Sequence, residues 1–239
     1  MSAAADAKRF VIGDIHGCAA HLRILLALLE KKLADPARDR VIFLGDYIDR
    51  GPDSRGVVDL LLDFATRFDA VFLKGNHDAQ FVPWRNRTGH LRVGGFYTKE
   101  SYKVDGKIEV PDSHMRFFEE LKLYHEEDDF LCVHAGLHPD KGWVEKQSEA
   151  DMLNIREKFF HSDIKWKKLV IFGHSPGINA YSTVMPFNMV RPHNTLGIDT
   201  GAVFDGRLSC YEVRGRNFHQ VYREKGRWKI ANFALDQLR

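Results

Sequence analysis

Five short segments of the chain place carboxylate, imidazole or amide side chains directly behind an apolar run. One such histidine is usually only a polar residue at a strand end, but five segments would need five separate coincidences. Oxygen and imidazole donors without any thiolate are typical ligands of divalent Mn, Fe or Zn, and not of a cysteine-rich structural zinc site. The candidate residues are Asp14, His16, Asp46, Asp49, Arg50, Asn76, His77, Asp78, His134 and His174.

These donors are more numerous than a single ion requires. Two ions that share a carboxylate lie about 3.5–4 Å apart and can activate a bridging water for in-line attack at phosphorus. The ligand pattern therefore favours two divalent metal ions, with Mn preferred and Fe or Zn as the alternatives. The reaction that it favours is hydrolysis of a phosphate ester.

The apolar runs have the length and composition of strands that are buried on both faces. Between the first three runs, residues 18–33 and 53–68 show helical periodicity, and Asp53 is placed to cap the second helix. This alternation predicts a βαβαβ unit with a parallel sheet. In open α/β sheets, ligands gather beyond the carboxyl ends of the strands, where the five runs deliver their polar residues.

The rest of the chain departs from this alternation. Residues 79–128 predict a mostly helical insert near the site, with a helix over 112–124. A further helix is predicted over 148–160. From residue 195 onward the pattern predicts antiparallel strands, with "DG" at 205–206 as a hairpin turn.

Composition limits the classes of partner. The 239 residues suit one domain spanning 1–239, and a net charge of +2 gives no electrostatic basis for a nucleic-acid partner. No run approaches 18 apolar residues, so no membrane association is expected. The three cysteines are widely spaced and the N-terminus lacks a signal-peptide pattern, which favours a cytoplasmic protein. No obligate partner is evident.

Five spaced motifs resemble those of the phosphoprotein phosphatase (PPP) family, the calcineurin-like metallophosphoesterases. They are "GDIHG" (13–17), "GDYIDRG" (45–51), "GNHD" (75–78), "VHAG" (133–136) and "FGHS" (172–175). Each motif is weak alone, but the spaced set is specific and covers the chain from about residue 9 to 213. The resemblance implies an α/β fold with a central β-sandwich flanked by helices, in four α/β/β/α layers, and the helical insert.

The resemblance also implies a role for each motif residue. Asp14, His16 and Asp46 would bind the first metal ion. Asp46, Asn76, His134 and His174 would bind the second, so that Asp46 bridges the two. His77 would be the general acid, and Asp78 would orient its ring.

Two arginines would clamp the phosphoryl oxygens in this scheme. They are Arg50 and Arg156, since a planar guanidinium suits this task better than Lys. Asp49 is expected to lie behind the metal ligands. Bacterial relatives usually have an aromatic residue two positions before the second arginine, where this chain has Asn154.

The preferred function is a bacterial-type serine/threonine protein phosphatase that acts on a phosphoprotein or phosphopeptide, with phosphotyrosine as an additional candidate substrate. Asp49-Arg50-Gly51 and "GHSP" (173–176) favour it over a symmetrical diadenosine tetraphosphate hydrolase, which shares the metal motifs. A phosphodiesterase or nuclease would usually end in Gly-His-x-His, which is absent here. A catalytically dead binding module would be expected to have lost ligands, whereas every ligand of the pattern is present.

Overall fold

The computed structural model describes residues 7–176, 187–189 and 193–237. The strands are β1 (Arg9–Ile12), β2 (Arg40–Phe43), β3 (Asp69–Phe72), β4 (Lys103–Val104), β5 (Lys107–Ile108), β6 (Tyr124–Glu126), β7 (Phe130–Val133), β8 (Leu169–Phe172), β9 (Phe187–Met189), β10 (Thr195–Gly197), β11 (Leu208–Glu212), β12 (Asn217–Glu224) and β13 (Arg227–Ala234). The helices are α1 (Ala19–Leu28), α2 (Ser54–Ala65), α3 (Phe81–Arg85), α4 (Gly95–Ser101), α5 (Asp112–Glu119), α6 (Glu149–Asn154) and α7 (Glu157–Phe160). None of the helices in these ranges is long and apolar enough to cross a membrane.

Two sheets contain the strands that precede the five motifs. The first has the order β13-β12-β11-β1-β2-β3, and the second has the order β6-β7-β8-β10-β9. Strands β1, β2 and β3 are parallel to one another, as are β7 and β8. The motif strands are therefore divided three and two between the sheets, and their carboxyl ends meet at one edge of the sandwich.

Alternation along each strand divides the core into three layers. In β1, Phe10 and Ile12 pack with α1 and α2, whereas Val11 faces the second sheet. In β7, Cys132 faces the first sheet, and Leu131 packs with the α6–α7 segment. Apolar residues on both faces of a strand are what a buried sheet requires. The predicted four-layer sandwich is therefore confirmed, with helices on the outer face of each sheet.

The helix predicted over 148–160 is broken into α6 and α7. Ile155 has an extended backbone, and Arg156 also lies outside the helical region. The Arg156 guanidinium donates to the Ser175 hydroxyl (2.7 Å) and to the His174 carbonyl (3.2 Å). The break thus coincides with bonds that direct Arg156 toward the last motif.

Two other local predictions differ from the structure. The helix predicted over 112–124 ends at Glu119. The "DG" at 205–206 is not a hairpin turn, because it lies between β10 and β11, which belong to different sheets. The hairpin joins β12 and β13 instead, where Lys225 and Gly226 both have positive φ, as a type I′ turn requires.

Candidate metal centre and active site

Strained backbone conformations position many of the motif side chains. A positive φ is uncommon for residues other than glycine and persists only where the surrounding structure enforces it. Here it occurs at five non-glycine motif residues, each directly behind a strand or in the following loop. These are His16 (45°), Asp46 (51°), Asp49 (70°), Arg50 (68°) and His174 (65°).

Gly75 in "GNHD" is required because its backbone lies against Asp46. Its φ is not in the left-handed region. A Cβ at this position would instead lie 2.1 Å from Asp46 Oδ1 and 2.2 Å from the Asp46 backbone nitrogen. Glycine at 75 therefore lets the third motif approach the carboxylate that the other motifs surround.

Asp46 is at the centre of the buried cluster. Its Oδ2 lies 3.3 Å from His16 Nε2, and its Oδ1 lies 3.5 Å from His134 Nε2. Each carboxylate oxygen thus faces a different imidazole. This is the arrangement that a carboxylate shared between two ions would adopt, and it supports the sequence-based role of Asp46.

A second group of donors meets on the His134 side. Asn76 Oδ1 lies 3.1 Å from His134 Nε2 and 2.9 Å from His174 Nδ1. Ligands about 2.1 Å from one ion and at right angles to each other are separated by roughly 3 Å. These separations therefore fit donors that surround a common ion.

Asp14 borders the same cluster from β1. Both of its oxygens accept the His174 backbone N–H, at 3.1 and 3.0 Å. The donor atoms that lie within 4.8 Å of one another form two sets among the described residues: His16, Asp46 and His77, and Asp46, His134 and His174. The structure therefore brings five of the six predicted ligands together, with His77 against the first set, and Asp14 adjoins them through the His174 backbone.

Backbone carbonyls fix the tautomers of two histidines. His16 Nδ1 lies 2.8 Å from the Ile48 carbonyl, and His134 Nδ1 lies 2.9 Å from the Leu44 carbonyl. A carbonyl can only accept, so Nδ1 carries the proton and Nε2 presents a lone pair to the cluster. This is the usual outer support of a metal-binding imidazole.

The electrostatics of the cluster also suit cations. Burial, followed by the Asp199 and Asp46 carboxylates, raises the pKa of Asp14 well above its usual range. Burial, followed by His134 and Arg156, lowers the pKa of His174 to about 2, so its imidazole is neutral. Crowded carboxylates and neutral imidazoles are the forms that divalent ions bind. The donor set thus fits the expected metal ions.

The expectation that Asp78 orients His77 is not met. His77 Nδ1 lies 2.7 Å from Asp49 Oδ2. The Asp78 carboxylate instead accepts the backbone N–H groups of Asp46 (2.6 Å), Tyr47 (2.9 Å) and Gly75 (2.9 Å). Adjacent side chains at 77 and 78 point in different directions, so Asp78 secures the loops and Asp49 holds the imidazole.

The insert supports this contact through Thr98 of α4. The Thr98 hydroxyl donates to Asp49 Oδ1 (2.6 Å) and accepts the Asp49 backbone N–H (2.9 Å). It also lies 3.0 Å from the Ser54 hydroxyl at the start of α2. Thr98 is fully buried. Thr98 of the insert therefore holds Asp49 in place, and Asp49 in turn holds the His77 ring.

Three arginines line a cavity of about 250 Å³ beside the cluster. Arg50 and Arg156 were predicted, and Arg50 Nη1 lies 2.9 Å from His16 Nε2. The third, Arg92, was missed by sequence analysis. Its guanidinium donates to the Asn76 carbonyl (2.8 Å) and to Asn154 Oδ1 (3.1 Å). Asn154, the departure from the bacterial pattern, thus holds an extra arginine in the cavity.

Sequence analysis also missed Asp199, a buried residue beside the cluster. Burial raises its pKa to about 6, and its charge acts on Asp14. The available signal was the segment "GIDTGAVFDGRL" (197–208), which places an acidic residue directly behind another apolar run.

Comparisons with known proteins agree with this geometry. The family model described as calcineurin-like phosphoesterase matches residues 7–200. Because this match covers well over half of the sequence, the chain belongs to the calcineurin-like phosphoesterase family.

Several of the similar proteins are described as tetraphosphatases. An asymmetrical bis(5′-nucleosyl)-tetraphosphatase of Anoxybacillus flavithermus is 27% identical, with 84% of this chain and 88% of that protein covered. A symmetrical bis(5′-nucleosyl)-tetraphosphatase of Nitrosomonas europaea is 30% identical, but only 59% of this chain and 48% of that protein are covered. A solved structure, described as a candidate diadenosine tetraphosphatase, has a TM-score of 0.66 at 23% identity and covers 94% of this chain and 93% of that one. This structural likeness shows the shared fold.

Proposed function

We propose that this metallophosphoesterase is a bis(5′-nucleosyl)-tetraphosphatase that cleaves dinucleoside tetraphosphates. The observation that carries the proposal is the cavity with three arginines, Arg50, Arg92 and Arg156, beside the carboxylate–imidazole cluster. A chain of phosphates presents several anionic groups in a row, and guanidinium groups pair well with phosphate oxygens. The resemblance to an asymmetrical tetraphosphatase, which covers 84% of this chain, supports the same substrate class.

The cluster would hold two divalent ions, with Asp14, His16 and Asp46 around the first and Asp46, Asn76, His134 and His174 around the second. When bound, such ions polarise phosphoryl oxygens and lower the pKa of a water to about 7. The chain's own residues bind and orient the substrate. The arginines bind the phosphate oxygens and orient the phosphorus for in-line attack.

His77 supplies the proton to the leaving oxygen. Its Nδ1 is engaged by Asp49, so Nε2 is the nitrogen that is left to donate. A leaving phosphate, with a pKa of about 6, requires less help from an acid than an alkoxide does. His77 is therefore expected to matter less for a phosphoanhydride than for an alkyl phosphate.

The sequence-based preference for a protein phosphatase depended partly on Asp49-Arg50-Gly51. In the structure Asp49 contacts His77, the proposed general acid. This contact would assist a protein phosphatase and a tetraphosphatase equally. This tripeptide therefore no longer favours the phosphatase, and the names of the similar proteins favour the alternative. The alternative considered from the sequence was the symmetrical enzyme, whereas the relative aligned along most of the chain is asymmetrical.

The test compares diadenosine tetraphosphate with a phosphothreonine peptide and p-nitrophenyl phosphate, each with added Mn²⁺. We expect kcat/KM for the dinucleotide to exceed that for the peptide by at least about 100-fold, and the products to be ATP and AMP. Formation of two ADP molecules would show symmetrical cleavage, which also supports the proposed substrate class. A preference for the peptide would overturn the proposal. Asp46→Ala, which removes the carboxylate at the centre of the cluster, is the matched control for contaminating activity.

A further inference from the structure

A second cavity, of about 380 Å³, lies outside the cavity with the three arginines. Its walls come from the start of α1, the loop before α2, the 202–206 turn and the β12–β13 hairpin. None of the catalytic side chains described above lines it. Its volume is within the range of pockets that bind small organic ligands, roughly 300–1,000 Å³.

Residues that line the second cavity are close in the chain to residues of the catalytic site. Gly17 lines the second cavity and directly follows His16, and Pro52 lies two residues after Arg50. Consecutive Cα atoms are about 3.8 Å apart, so these wall residues lie within about 8 Å of catalytic ones. Phe204, which is 52% exposed and directly precedes the lining residue Asp205, has its ring centroid 5.4 Å from Arg50 Cζ.

The chemistry of the second cavity differs from that of the first. Trp228 is 40% exposed and is paired across the hairpin with Arg223, whose Cζ lies 5.9 Å from the indole centroid. The His21 ring is nearly perpendicular to the indole, with the ring centroids 4.8 Å apart. A planar aromatic ligand can stack on an indole or a guanidinium. Asp205, also in the wall, offers a carboxylate to a sugar hydroxyl.

From these contacts we propose that the second cavity binds one nucleoside of the dinucleoside polyphosphate, an inference that rests on the proposed function. The base stacks against Trp228 and Arg223, and the ribose lies toward Asp205. The phosphate chain passes Phe204 to reach Arg50. The cavity with the arginines thereby binds the phosphates, and the second cavity binds the nucleoside.

The first arm of the test is kinetic. Trp228→Ala is expected to raise KM for diadenosine tetraphosphate by about tenfold, the usual scale for loss of a stacked base. The value of kcat, and hydrolysis of p-nitrophenyl phosphate, should remain unchanged. Ile230→Ala is the matched control, because Ile230 is 43% exposed on the same strand but does not line the cavity. Trp228→Phe should restore part of the affinity. An unchanged KM in Trp228→Ala would overturn the proposal.

The second arm separates this proposal from the proposed function. ADP and pyrophosphate are compared as inhibitors of p-nitrophenyl phosphate hydrolysis. The proposal expects tighter inhibition by ADP in the wild-type protein and equal inhibition in Trp228→Ala. Equal inhibition in the wild type would contradict the nucleoside site, even if the dinucleotide is hydrolysed. Tighter ADP inhibition that depends on Trp228 would support the site, even if the dinucleotide is a poor substrate.

Discussion

His77 Nδ1 lies 2.7 Å from Asp49 Oδ2, a residue 28 positions earlier in the chain, although Asp78 is its immediate neighbour in sequence. The two carboxylates have separate tasks in the structure. Asp49 contacts the imidazole, and Asp78 accepts three backbone N–H groups from two loops. This division gives different expectations for two substitutions that are chemically identical.

Asp49→Asn should lower kcat for an alkyl phosphate by about 10–10³-fold, because the amide no longer stabilises the protonated imidazole or fixes its tautomer. Metal content, measured by plasma mass spectrometry, should be unchanged. Asp78→Asn should lower the melting temperature, because an NH₂ group would face backbone donors. The folded protein should keep most of its kcat. Equal losses of kcat in the two variants would contradict the assignment.

Thr98→Val should reduce kcat about tenfold for an alkyl phosphate and much less for p-nitrophenyl phosphate. The reason is that Thr98 acts through Asp49 and His77, and a good leaving group requires less proton donation. Thr98→Ser, which keeps the hydroxyl, should restore the rate. If both substrates lose rate equally, or if Ser does not rescue it, Thr98 has only a packing role.

Arg92→Ala and Arg156→Ala should each raise the inhibition constant of inorganic phosphate by about tenfold. A hydrogen bond to a charged group contributes about 1.5–3 kcal/mol, so one lost guanidinium is readily measured. Arg85→Ala is the control, because Arg85 is exposed at the end of α3. Phosphate inhibition of Arg92→Ala that matches this control would remove Arg92 from the site.

Glu127 should contribute to stability in a pH-dependent way. Its carboxylate lies 2.7 Å from Arg9 Nε of the first sheet and 3.1 Å from His125 Nε2 of the second. Burial opposes its ionisation, but His125 and Arg9 outweigh it and lower the pKa of Glu127 to about 2. The unfolded-state pKa is about 4.3, so the stabilisation is complete above that pH and is lost as the pH falls toward 2.

Glu127→Gln should therefore lower the free energy of unfolding at pH 7 by about 1–2 kcal/mol, after allowance for solvent screening. Urea denaturation at pH 7, 5 and 3 provides the measurement. The difference from wild type should be similar at pH 7 and 5 and smaller at pH 3. A difference that persists undiminished at pH 3 would show that charge is not its cause.

The ligand cluster could be predicted from sequence because each ligand directly follows an apolar run. Parallel strands bring their carboxyl ends to one edge, so sequence position predicted that Asp14, Asp46 and Asn76 of the first three runs would meet. The division of the five runs between two sheets followed only from the family resemblance.

The contacts that sequence could not predict depend on side-chain direction. Asp49 and Asp78 are equally plausible partners of His77 until the positive φ at Asp49 is known. Arg156 lies in a segment with continuous helical periodicity, and only tertiary bonds explain the break there. Arg92 precedes "GG" at 94–95, and a Cβ at Gly94 would lie 2.5 Å from the Arg50 nitrogen. The close approach of Gly94 to Arg50 could not be predicted from the sequence.

The central claim is that one buried cluster holds two divalent ions bridged by Asp46 and hydrolyses a phosphate chain. Calorimetric titration of the chelator-treated protein with Mn²⁺, followed by assay of diadenosine tetraphosphate hydrolysis on the same samples, tests it most directly. We predict two equivalents bound per chain, activity that returns with them, and loss of both in Asp46→Ala. Undiminished hydrolysis without bound metal, or two equivalents retained by Asp46→Ala, would contradict the claim.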